Sequence, residues 1–241
     1  MRRKEYDLLV VAMDQRRPVE SAENRRTHPS AIQSWTIAGA LLCVFLEFAA
    51  NLSAQTSGDV WSDVLGHPGW NYGGQISGGC TLVQISSPQF LTANRNISNF
   101  ALSFHVGRVL SHEHGSGWAR GTFEWGFSVI PLELFWVLGT HYAGGFEAFG
   151  PRWNFTQGRR RVVPFAGLAG GMLFSPHNFP PGDTYQANFT IGVDAGAHLF
   201  VRRKQSLDLS GRVYHLSNGF LGPLNPGIPV ALQVTFGYSW F

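Results

Sequence analysis

VALQVTFGYSWF, residues 230–241, carries a large apolar side chain at every second position. Val230, Leu232, Val234, Phe236, Tyr238 and Trp240 share one parity, and Ala231, Gln233, Thr235, Gly237 and Ser239 share the other. Successive side chains of a β-strand point to opposite faces, so the segment predicts a strand with one apolar and one small, polar side. A transmembrane barrel strand needs that division, with lipid outside and a packed polar interior. A sandwich strand meets the same pattern, and repetition along the chain decides between the two.

The pattern repeats upstream. Phe189, Ile191, Val193, Ala195, Ala197, Leu199 and Val201 alternate with Thr190, Gly192, Asp194, Gly196, His198, Phe200 and Arg202. Phe123, Trp125, Phe127 and Val129 alternate with Thr122, Glu124, Gly126 and Ser128, and Phe100, Leu102, Phe104 and Val106 with Ala101, Ser103, His105 and Gly107. Segments near Trp70–Ile85, Tyr142–Phe155 and Val162–Phe174 are strand-like but blurred by glycine, and Pro131 and Pro164 mark strand ends or bulges. The expected fold is all-β, an antiparallel transmembrane barrel of about eight strands. The aromatic end of the chain, up to Phe241, resembles the insertion signal of bacterial outer-membrane barrels. Arg120, Glu124, Asp194, Arg202, Asp208 and Arg212 fall on the inward parity, and a small barrel without an open lumen requires them to pair inside.

Composition agrees. Only 14% of the 241 residues are charged, against roughly 25% in soluble domains. No apolar run long enough for a helical span follows residue 55. Residues 1–34 are polar and basic, Ile37–Ala50 is a short apolar run broken by Glu47, and small residues follow up to Ala54. This reads as a leader and signal peptide over residues 1–54, cleaved after Ala54, with the barrel over residues 55–241. An uncleaved anchor helix is the alternative, and Met13 an alternative start. Export across the inner membrane to the outer membrane is the expected route. Cleavage removes Cys43 and leaves Cys80 without an internal disulfide partner. The run Arg159-Arg160-Arg161 falls between two strands, as a solvated turn or a contact with anionic lipid head groups. No nucleic-acid-binding module or basic-aromatic stripe is present.

The segment SLDLSGRVYHLSN, residues 206–218, places His215 and Ser217 on the same side as Leu207, Leu209 and Val213. An imidazole two residues from a hydroxyl on one face suits a base beside a nucleophile. Two other readings compete: polar residues tolerated at the membrane interface, and a metal site, which lacks a second histidine or carboxylate at ligand spacing. His112 and His114 sit in a polar SHEHGSG loop, and His198 reads as an interior residue hydrogen-bonded to its neighbours.

Arg212-Val213-Tyr214-His215-Leu216-Ser217-Asn218-Gly219, followed by Asn225-Pro226-Gly227 and a C-terminal strand, resembles the lipid A 3-O-deacylase (PagL) family, also known as acyloxyacyl hydrolases. That family carries a His-x-Ser-Asn segment on the penultimate strand of an eight-stranded outer-membrane barrel. The likeness extends loosely over about residues 70–241, including the Phe-Glu-Trp-Gly strand around Glu124, and is sharp only in the eight-residue segment and the chain end. It implies a cofactor-free serine esterase acting on lipid A of lipopolysaccharide from the lipid-facing wall. Carried over, Ser217 resembles the nucleophile, His215 the general base and Asn218 the oxyanion donor. Asn218 has the opposite parity, so a bend eased by Gly219 must bring it round. The family's third member is a glutamate about a dozen residues after the serine. Here that count lands on Pro229, and Asn225 is the nearby residue able to hold the imidazole. An asparagine stabilises imidazolium less than a carboxylate does, so reduced or absent activity is expected. A non-catalytic small barrel with a structural or adhesion role is the alternative.

Overall fold

The computed structural model describes residues 62–84, 87–156, 161–182 and 184–241. The expected leader, residues 1–54 with its cleavage point at Ala54, lies outside them, as do Arg159 and Arg160. The strands are β1 (Gly69–Val83), β2 (Ser98–Val109), β3 (Thr122–Trp136), β4 (Thr140–Phe149), β5 (Pro151–Asn154), β6 (Val162–Phe179), β7 (Tyr185–Arg202), β8 (Gln205–Ser217) and β9 (Ile228–Trp240). All pairings are antiparallel. β4 and β5 form one wall strand interrupted at Gly150, since both pair with β3 on one side and β6 on the other. β9 pairs with β8 and β1, which closes the sheet. The fold is an eight-stranded antiparallel transmembrane barrel of the outer-membrane type, with all connections between sequence neighbours.

The exterior follows the sequence parity. Trp70, Tyr72, Phe104, Trp125, Phe127, Ile191, Val193, Val213 and Phe236 stand exposed, while their neighbours Asn71, His105, Glu124, Ser128 and Asp194 are buried. Trp125 and Trp136, both exposed, lie near opposite ends of β3, eleven residues apart. At ~3.4 Å per residue and a tilt of ~40°, that separation spans roughly 28 Å, close to the apolar band of outer-membrane barrels. Such a wall is stable only against hydrocarbon.

The interior has three layers. An apolar plug of Phe135, Phe179, Leu216, Ile228 and their neighbours fills the end away from the C-terminus. A second, of Leu65, Val109, Val163 and Phe200 with Phe241 against it, fills the end at the C-terminus. Charge sits between them. Arg152 lies 3.6 Å from Glu124 and 3.7 Å from Asp194. Arg212 meets Glu147 at 2.5 Å, and the Asn99 amide donates to Glu133 at 2.7 Å. Glu124 also accepts from Asn154 at 2.8 Å. A cavity of about 40 Å³, lined by Glu133, Glu147, Arg212 and Tyr214 among others, has room for a few water molecules and not for a lipid chain.

Two of the six charges expected inside lie elsewhere. Arg120 belongs to the loop after β2, where it pairs with Glu113. Arg202 is exposed at the end of β7, beyond a register shift after Phe200. The inside recruits Glu133, Glu147 and Arg152 instead. A bulge between Ile130 and Glu133, at Pro131, shifts the parity of β3 and turns Glu133 inward. Proline has no N–H to give a ladder, so the bulge is where β3 tolerates it.

Candidate active site

The site is assembled at the end of β8 farthest from the C-terminus. His215 is exposed and Ser217 half-buried, while Tyr214 and Leu216 point into the plug. The two polar side chains share the outer wall, as the parity predicts. On the β7 side, His215 stands opposite Ile191 and Ser217 opposite Phe189, both exposed. The pair is thus a polar spot in an apolar wall, near its rim.

The β9 side holds the imidazole. The β8–β9 register shifts between Tyr214 and Leu216, and both Ile228 and Ala231 are buried, so β9 changes parity between them. This irregularity brings the Pro229 carbonyl to His215, whose Nδ1 donates to it at 3.1 Å. With the proton of the neutral ring held at Nδ1, Nε2 is the basic nitrogen. His215 and Ser217 are not hydrogen-bonded to each other. Side chains two residues apart on a strand start roughly 6.6 Å apart, so they meet only by rotating toward one another.

Asn225 does not orient the imidazole. Its Oδ1 accepts the backbone N–H of Asn218 at 2.9 Å. Asn218 is not turned outward either. At 1% exposure, its amide donates to the Leu224 carbonyl at 2.7 Å, and its Oδ1 accepts from the Phe220 N–H at 2.9 Å. The opposite parity persists past the strand end, because the interior loop carbonyls satisfy the amide better than a lipid-facing position would. Gly219 and Gly227 adopt positive φ (60° and 56°) at the two ends of the loop, and a Cβ at Gly227 would strike the Leu216 carbonyl. The two asparagines and two glycines together fix the ten-residue connection that carries Pro229 back to His215.

The count of twelve residues from Ser217 lands on Pro229, whose side chain has nothing to offer an imidazole. The backbone carbonyl does, and only the register irregularity places it there. The other histidines are elsewhere. His114 is paired with Gly121 in the β2–β3 loop, and the His112 ring lies against His67. His198 is interior, bonded to Asp208.

No protein-family model and no curated protein matches the chain. Among solved structures it is similar to Neisserial surface protein A (NspA), at 12% identity and a TM-score of 0.45, over 71% of this chain and 98% of that one. It is also similar to the outer membrane enzyme PagL, at 14% identity and a TM-score of 0.43, over 70% of this chain and 99% of that one. At these values the likenesses say nothing about the chemistry of the site.

Proposed function

We propose that the protein is a serine esterase of the bacterial outer membrane that removes an ester-linked (3-O) acyl chain from lipid A. The observation that carries this reading is the placement of His215 and Ser217 together on the lipid-facing wall, with Nδ1 of the imidazole committed to Pro229. An ester lying in a bilayer reaches such a serine without leaving the membrane. Ser217 Oγ attacks the carbonyl carbon while His215 Nε2 takes its proton. The sugar alkoxide leaves with that proton, and water then hydrolyses the acyl-serine, releasing a fatty acid. No cofactor is needed. Asn218 and Asn225 act here as positioning residues of the loop rather than as oxyanion donor and orienter.

A second reading is a non-catalytic barrel with a structural or adhesion role. It is favoured by the lack of a carboxylate on His215 and the inward turn of the Asn218 amide. Mass spectrometry of lipid A from cells expressing the wild type or Ser217→Ala separates the two. The esterase reading expects lipid A lighter by one acyl chain with the wild type only. Unaltered lipid A with well-inserted wild type supports the structural reading.

A further inference from the structure

The two rims of the barrel differ in charge. At the rim bearing His215 and Ser217, the described connections 87–97, 137–139, 180–182 and 218–227 carry one cation, Arg95. At the rim of the C-terminus, β7 and β8 meet in a turn reading Arg202-Arg203-Lys204, exposed throughout. Arg108 is exposed on the wall just inside this rim, its guanidinium carbon 5.1 Å from the centre of the Trp70 ring.

Turn geometry does not account for the basic residues. Two-residue hairpin turns favour Asn-Gly or Gly at positive φ, yet neither Arg203 nor Lys204 is among the residues of positive φ. Nor are they spent on the interior charges, which Arg152 and Arg212 serve. Beneath the turn lies an aromatic belt. Trp240 pairs in register with Gln205, immediately after the turn, and packs on Tyr72 with ring centres 5.9 Å apart and on Tyr238 at 4.6 Å. Trp and Tyr settle at the head-group level of a bilayer, so cations one step farther out stand at the depth of the lipid phosphates.

We infer that this rim binds the phosphates of anionic glycerophospholipids in the leaflet opposite the His215–Ser217 pair, through Arg202, Arg203 and Lys204. The guanidinium fork matches a phosphate bidentately, and the lysine adds a point charge. The barrel's shortest hairpin turn, 203–204, lies at this rim and its longest connection, 84–97, at the other; short turns of outer-membrane barrels face the periplasm, so the leaflet is the phospholipid one. The binding also orients the barrel, holding Ser217 in the other leaflet. It is independent of whether Ser217 is a nucleophile.

The test is native mass spectrometry of the full chain released from nonionic detergent, with phosphatidylglycerol, phosphatidylcholine of the same acyl chains, and lipid A as separate probes. Each cation near an anionic surface contributes roughly a fivefold preference, so three give on the order of 100-fold before screening. The expected result is at least tenfold greater retention of phosphatidylglycerol than phosphatidylcholine. In the combined Arg202→Gln, Arg203→Gln, Lys204→Gln variant this preference falls to near equality, while lipid A retention is unchanged. Equal retention of the two phospholipids by the wild type overturns the proposal. So does full phosphatidylglycerol preference in the variant, or a loss confined to lipid A. Should the variant fail to fold, salt titration of the wild type decides. A preference that survives molar salt is not carried by these charges.

Discussion

Two histidines of this barrel, His198 and His215, have serines in their neighbourhood and Nδ1 already occupied, and they differ in everything that matters for catalysis. His198 has the stronger partner. Its Nδ1 lies 2.7 Å from Asp208, whose carboxylate also accepts from Ser206 at 2.6 Å and Ser239 at 2.5 Å. His215 has only the Pro229 carbonyl, at 3.1 Å. Yet the His198 group is sealed under Phe165, Phe200 and Phe241, and its serines donate to the carboxylate, not to the imidazole. It has the composition of a catalytic triad and the wiring of a structural brace. His215 has a weaker orienter but an exposed face and an uncommitted serine. Access and the direction of each hydrogen bond, not the inventory of residues, separate a site from a core.

The largest effect that would break this comparison is at Ser217. Ser217→Ala is expected to reduce lipid A deacylation to background with an unchanged barrel, and His215→Ala to slow it about 10²–10⁴-fold, the usual worth of a positioned base. Ser206→Ala should leave the rate per folded molecule intact. Released fatty acid measured against folded protein is the readout. An inactive, folded Ser206→Ala protein together with an active Ser217→Ala protein would reverse the assignment of the two groups.

Asp208→Ala tests the other half. It leaves His198, Ser206 and Ser239 buried without the acceptor they share, and a buried donor left unsatisfied costs about 1–3 kcal/mol. Urea unfolding in lipid vesicles should report that loss. Deacylation per folded molecule should stay the same, because the group lies at the opposite end of β8 from Ser217. An equal loss of stability in His215→Ala would erase the distinction between brace and site.

The alternation of β2, β7, β8 and β9 was legible in the sequence because their two faces differ in solvent: lipid selects large apolar side chains, and the packed interior selects small or polar ones. The outward placement of His215 and Ser217 follows from the same parity. What was not legible comes from bulges and turns. Glu133 faces inward because of the irregularity at Pro131, and Arg152 because the wall strand restarts after Gly150. Arg202 has the inward parity and still ends up in solvent, because its strand runs out into the turn. A period of two carries no information once one residue is inserted. The Pro229 carbonyl is hidden for a further reason: a backbone acceptor has no letter in the sequence.

That weak orienter can be strengthened. Pro229→Glu puts a carboxylate at the residue whose backbone carbonyl already holds His215. The tautomer is already set by the carbonyl, so the gain is limited to better stabilisation of the imidazolium, read as a rise in kcat. An unchanged kcat in a folded Pro229→Glu protein would mean that His215 does not become imidazolium in the rate-limiting step.

The smallest effect is expected at Asn225. Its Oδ1 accepts only the Asn218 N–H, so Asn225→Ala removes one neutral hydrogen bond, worth about 0.5–1.5 kcal/mol. The loss falls on the loop that returns Pro229 to His215 and reaches the imidazole through geometry alone. A fall of a few-fold in kcat is expected, with no change in KM, since nothing at Asn225 faces the substrate. Asn225→Asp is the sharper variant, because it keeps the acceptor and adds a charge. If Asn225 only positions the loop, Asn225→Asp restores the wild-type rate. If instead it touched the imidazole, the added carboxylate would raise the rate above wild type, as Pro229→Glu should. A rate above wild type for Asn225→Asp would therefore move Asn225 from the brace of the loop into the site itself.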